Sequence, residues 1–139
     1  MLVKLSDKAS AVIESGALAH FVTVNPDGSP QVAIIWVGLD GDELVAAHLF
    51  GNQQKLHNIR RDPRVAISFE ASGVTEHGLD EYLVVRGEAY ITEGGAPELL
   101  QRLAHVYMGP DVIFPNMEKP PPGFVTHVRV TKVGGAGFS

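Results

Sequence analysis

The chain of 139 residues contains no cysteine. That excludes disulfides, thiolate chemistry and cysteine-ligated metals. It has no apolar run near the ~20 residues that a membrane span needs. Its first ten residues already carry Lys4, Asp7 and Lys8, so they do not read as a signal peptide. An excess of positive charge is missing as well. The net charge is −5, which argues against general nucleic-acid binding. Charged residues make up 19% and apolar residues 45%, an ordinary balance for a folded domain. The expectation is one domain, 1–139, in the cytoplasm.

Several catalytic signatures are absent too. No Gly-x-Ser-x-Gly is present to support a serine hydrolase, and no P-loop appears. Gly134-Gly135-Ala136-Gly137 is glycine-rich, but it follows the last expected strand with no helix after it. It therefore fails as a dinucleotide fingerprint. The histidines are His20, His48, His57, His77, His105 and His127. No two have the i, i+2 or i, i+4 spacing of common metal sites, so no metal is expected.

What is present is uneven. Lys55, Arg60, Arg61 and Arg64 surround a single acid, Asp62. Glu70, Glu76, Asp80 and Glu81 follow with no cation among them. A local basic patch on an acidic protein points to a small anionic ligand rather than a polyanion.

The expected elements are short and mostly extended. Ser6 caps a helix to about Ser15, with Leu5, Ala9, Val12 and Ile13 on one face and Gly16 as its stop. Leu18 to Val24 reads as a strand. Asn25-Pro26-Asp27-Gly28-Ser29-Pro30 is a strong turn signal. Gln31 to Leu39 is the second strand and Leu44 to Phe50 the third, with Asp40-Gly41-Asp42 as the turn between them. A short helix from Gln53 to Arg61, opened by Asn52, ends before Pro63.

Val65 to Ala71 is a fourth strand and Ser72 to Leu79 a loop, and the acid-rich stretch Ser72 to Glu81 reads as a solvated surface or a border of a substrate mouth. Tyr82 to Thr92 is a long strand, bent at Gly87. Ala96 to Tyr107 is a helix with Leu99, Leu100, Leu103 and Val106 as its buried stripe. Gly109 to Gly123 is irregular, with Pro120-Pro121-Pro122 a stiff loop or a docking site for a proline-binding partner. Phe124 to Val133 closes the fold, and Gly134 to Ser139 reads as a flexible tail. Six strands with small helices at the corners suggest a mainly β barrel.

The segment from Gly51 to Arg64 is the best candidate for chemistry. A strand feeds into a helix start, whose free N–H groups attract anions. Lys55 lies in the first turn, where the helix dipole disfavours a cation. A bound phosphate would turn that conflict into a benefit. The plainer reading is a solvated surface lysine. Trp36 reads as core rather than as a cofactor-stacking residue. His20 reads as half-buried and structural, and His105 as solvent-facing. His48 lies beside the candidate segment, with a functional role left open.

Lys55-x-x-Asn58-Ile59-x-x-Asp62-Pro63-Arg64-Val65, placed after the third strand, resembles a recurrent segment of the pyridoxamine-phosphate-oxidase-like split barrels. Asp27-Gly28-Ser29-Pro30-Gln31-Val32 resembles the first hairpin of that superfamily. Val85-Arg86-Gly87-Glu88-Ala89 is similar to its strand with a central glycine, and Val128 to Val133 to its closing strand. The likeness runs from about Ala17 to Val133. It implies a six-stranded split β-barrel of the FMN-binding kind.

The chain is short, and Gln54-Lys55 stands where the phosphate oxidase proper has an Arg-Lys pair. The C-terminal Arg-x-His is missing, and His127-Val128-Arg129 has the reverse order. Within the resemblance these features imply the deazaflavin branch, whose cofactor is coenzyme F420, with FMN as the alternative cofactor. The implied activity is hydride transfer from the reduced cofactor to a small electron-poor substrate. A non-catalytic module for a flavin, deazaflavin or tetrapyrrole is the other reading.

The resemblance places Gln31, Val32, Ala33, Ile34 and Ile35 along the cofactor. His48, Leu49 and Phe50 fall on the phosphate side, with Gln54 and Lys55 on the phosphate itself. Asn58 and Arg61 stand in support or reach toward a polyanionic tail. The resemblance also implies a homodimer with the site at its interface.

Overall fold

The structure, a computed structural model, describes residues 2–138. The chain runs α1 (Asp7–Ile13), β1 (Ala19–Val24), β2 (Pro30–Ile35), β3 (Gly38–Asp40), β4 (Glu43–His48) and α2 (Gln54–Arg61). It continues through β5 (Arg64–Val74), β6 (Asp80–Glu93), α3 (Ala96–Tyr107) and β7 (Phe124–Gly134). The strands form one sheet in the order β2-β1-β5-β6-β7-β4-β3. Every neighbouring pair is antiparallel.

The two edge strands are consecutive in sequence. Only Trp36 and Val37 separate the end of β2 from the start of β3. Three Cα–Cα steps reach at most about 11 Å, so the two edges meet at this point and the sheet curls into a barrel. The interior is filled by Phe21, Leu44, Ile67, Phe69, Val85 and Val130, each 1% exposed or less. From the helices, Ala9 and Ile13 of α1 and Ile59 of α2 join this cluster.

Among the described residues the barrel has seven strands, not six. The apolar run from Gln31 to Leu39 breaks at Trp36-Val37, where the chain crosses from one sheet edge to the other. Val37 still points into the core, at 2% exposure. Trp36 lies half-buried, stacked on Tyr107 at 5.4 Å between ring centroids, with Phe114 edge-on at 5.3 Å. The Tyr107 hydroxyl accepts from Val37 N–H at 3.0 Å and lies 3.0 Å from the Ala17 carbonyl. One phenol thus pins α3 to the crossing.

Other expectations change as well. The loop expected over 72–79 is the end of a hairpin, because β5 runs to Val74 and β6 starts at Asp80. On α3 the fully buried residues are Ala96, Leu103 and Ala104, while Val106 is 48% exposed. The helix packs on β4 through the face that carries Leu103, which turns Val106 outward. The C-terminal segment folds back rather than trailing free. Phe138 is buried in the core cluster, Lys8 Nζ lies 4.6 Å from its ring centroid, and the Gly137 carbonyl accepts from Lys8 at 3.0 Å. Ser139 lies outside the described residues.

Candidate functional site: an anion corner at the start of α2

The chain leaves β4 at His48 and enters α2 at Gln54. The expected opener, Asn52, is not the cap. Gln53 holds the N-cap position with extended backbone and makes no side-chain cap bond. Its side chain instead donates to the Phe50 carbonyl at 3.3 Å. Leu56 and His57 N–H both reach the Gln53 carbonyl. The N–H groups of Gln54 and Lys55 have no acceptor among the described residues. An uncapped helix start carries partial positive charge.

Lys55 adds a full charge there. It is half-buried, and desolvation pushes its ammonium below its ordinary pKa. No carboxylate or carbonyl among the described residues meets its Nζ. The other three cations of the basic segment are engaged. Arg64 grips Asp62 with two bonds, at 2.7 and 3.0 Å, which hold the Asp62 carboxyl down to about 2. Arg61 donates to the Val24 carbonyl. Arg60 lies over the Phe124 ring, 5.6 Å from its centroid.

His48, at the end of β4, is 4% exposed. Its Nε2 lies 2.8 Å from Thr126 Oγ1. Burial first, and the Lys55 charge second, push its pKa down to about 3. The imidazole is therefore neutral at physiological pH. Its ring belongs to the barrel interior and the β4–β7 seam, not to the surface. Leu49 is half-buried and Phe50 is 56% exposed.

On β2 the side chains alternate. Val32 and Ile34 face outward, each 60% exposed. Gln31, Ala33 and Ile35 are half-buried, and Ile35 packs on the core. The structure thus divides the five β2 candidates between two faces.

Asn58 of α2 is fully buried. Its Nδ2 lies 3.0 Å from Thr23 Oγ1, 3.0 Å from Asn25 Oδ1 and 3.1 Å from Gln31 Oε1. Its Oδ1 accepts from Gln54 Nε2 at 2.8 Å. Arg61 Nη1 reaches the same oxygen at 3.5 Å. Asn58 is a knot between helix and hairpin, and Thr23 and Asn25 are members of it that sequence reasoning missed.

A wide concavity of about 850 Å3 lies elsewhere, bordered by Lys8, Val12, Leu18, Glu70, Glu81 and Phe138. It contains none of the corner residues. Among the described residues no three or more histidines, aspartates or glutamates come together as a metal site. Among the described residues no helix is long and apolar enough to cross a membrane.

The family model for pyridoxamine 5'-phosphate oxidase matches residues 5–135. The chain belongs to the pyridoxamine 5'-phosphate oxidase family. Its barrel is the flavin-binding fold of that family, closed by the short β2–β3 crossing described above. Among solved structures it is similar to an F420 reductase, with 29% identity and a TM-score of 0.71. That likeness covers 94% of this chain and 98% of the other. It is also similar to a conserved hypothetical protein from Mycobacterium tuberculosis, at 24% identity and a TM-score of 0.71, over 96% and 85% of the two chains. An FMN-binding protein from Syntrophomonas wolfei shares the fold, at 12% identity and a TM-score of 0.68, over 94% and 85%. No curated protein matches the chain.

Lys55 and the uncapped start of α2 suit the phosphate that a flavin-type cofactor carries. The outward row of Val32 and Ile34 suits the apolar surface of a ring. The residues present therefore fit such a group.

Proposed function

We propose that this member of the family is a deazaflavin-dependent oxidoreductase that holds coenzyme F420 by its phosphate at the α2 corner. The observation that carries this reading is Lys55, half-buried and without a partner among the described residues, beside an uncapped helix start. When bound, the reduced coenzyme supplies a hydride for a small electron-poor organic acceptor. The chain's own residues anchor, orient and exclude water.

Lys55 Nζ would offset the charge of the phosphate, and the N–H groups of Gln54 and Lys55 would donate hydrogen bonds to it. Val32 and Ile34 of β2 offer an apolar strip to the ring. His48 stays neutral and tied to Thr126, so it adds no second charge to the corner. No side chain is assigned as proton donor. The reading includes a homodimer with the site at its interface, in which the exposed Val32 and Ile34 of the edge strand β2 would face the ring and a second copy would close over it.

The likeness to the F420 reductase at 29% identity supports the deazaflavin over FMN. FMN is the second reading, because the same corner suits its phosphate. Titration of the purified protein with each cofactor, read by fluorescence quenching, tests the choice. Coenzyme F420 is expected to bind more tightly, and a preference for FMN would overturn the assignment. Tight binding with no turnover across quinones, enones and tetrapyrroles would leave a binding module.

A further inference from the structure

The geometry points to Asn58 as the positioning residue that sets the spacing between the phosphate corner and the ring-bearing strand, an inference that rests on the cofactor reading above. Asn58 never reaches the surface, since it is 0% exposed. A buried amide in a helix interior must find partners or destabilise the fold. Here those partners lie in two places at once.

On one side is Gln54, the first residue of α2, which donates to Asn58 Oδ1 at 2.8 Å. Gln54 also carries one of the two free N–H groups of the corner. On the other side are Thr23, Asn25 and Gln31, which lie 35, 33 and 27 residues back along the chain. They flank the β1–β2 turn, and Gln31 is the residue beside Val32 on the ring-bearing strand. Thr23 Oγ1 also donates to Gln31 Oε1 at 3.4 Å, which ties the hairpin across itself.

One side-chain amide therefore connects both proposed anchors. Leucine would fill a similar volume and make none of these links. A ligand that carries both a phosphate and a ring engages the two anchors together, and the second contact becomes intramolecular once the first is made. That advantage depends on the spacing being held fixed. Loosening Asn58 should remove the advantage while leaving each anchor able to bind its own half.

The test compares three probes on the intact protein and on Asn58→Ala. The probes are coenzyme F420, its phosphate-free deazariboflavin core, and inorganic phosphate. Affinity for the first two is read by fluorescence, and for phosphate by shifts of the Gln54 and Lys55 amide resonances. Asn58→Ala should weaken coenzyme F420 at least tenfold and change each half-ligand less than twofold. Thr23→Val, a milder cut of the same tie, should weaken the whole coenzyme about threefold with the same pattern.

Equal weakening of all three probes in both variants would mean that Asn58 only supports the fold, and would overturn the inference. So would unchanged affinity for coenzyme F420 in both. If the unaltered protein binds neither coenzyme F420 nor FMN, the cofactor reading fails first and this inference falls with it.

Discussion

At the scale of single residues, environment separates groups that composition cannot. Four cations sit within ten positions, and only Lys55 lacks a partner among the described residues. The Arg64–Asp62 pair is exposed, and such pairs contribute little to stability. His48 is the sharper case. Its folded-state pKa of about 3 lies below the ordinary 6.5, so the unfolded chain takes up a proton between these values while the folded chain does not. Stability is therefore full above pH 6.5 and lost progressively as the pH falls toward 3. By pH 4 the loss from this one group should be roughly 2–4 kcal/mol. Urea unfolding at pH 4 and pH 7 measures it. Replacing both partners, His48→Leu with Thr126→Val, should flatten that dependence, because no buried proton acceptor remains. An unchanged pH slope would show that His48 is solvated in the folded state.

At the scale of elements, the hairpins explain what could be read in advance. The turn after β1 was legible because Pro26 and Gly28 announce it. Asn25 N–H bonds Ser29 O at 2.8 Å and Gly28 N–H bonds Asn25 O at 2.9 Å. The turn after β5 has the same pattern, Thr75 to Leu79 at 2.8 Å and Gly78 to Thr75 at 3.0 Å, with Gly78 at φ +83°. It was hidden because Glu76 and His77 carry no turn signature, and a lone glycine is a weak one. The break at Trp36-Val37 was also illegible, since nothing local marks where a chain changes sheet edge.

The bend expected at Gly87 of β6 is replaced by an irregularity in the pairing, whose extra residue, Thr131, lies on β7. The register of β6 against β7 shifts between Arg86 and Gly87, and a Cβ at 87 would overlap the Arg129 carbonyl oxygen. Gly87→Ala should therefore destabilise the barrel by about 2–3 kcal/mol in urea unfolding, since backbone cannot yield as a side chain can. A change below about 0.5 kcal/mol would show that the bulge moves freely.

At the scale of the whole molecule, the class of fold was legible from turn signals and motif order, while the seventh strand and the order of strands in the sheet were not. The candidate site was legible in part. The helix start and Lys55 could be found from a strand running into a helix with a misplaced cation. The Asn58 knot could not, because its partners are 27–35 residues away and only the closed barrel brings them together. The buried Phe138 was missed for the same reason: a glycine-rich tail gives no local sign of what it packs against.

Val32 and Ile34 stand outward in a row on the edge strand β2. Ile34→Glu should shift sedimentation from dimer toward monomer at micromolar concentration. A monomer in the unaltered protein would remove the homodimer from the account.

The central claim is that the start of α2 grips an anionic group through Lys55. Calorimetric titration of the protein and of Lys55→Ala with coenzyme F420, at one fixed salt concentration, tests it most directly. Loss of one charge-assisted hydrogen bond should weaken binding by about 1.5–3 kcal/mol, or roughly tenfold to more than a hundredfold. Equal affinity in the two proteins would contradict the claim and leave the corner without a ligand.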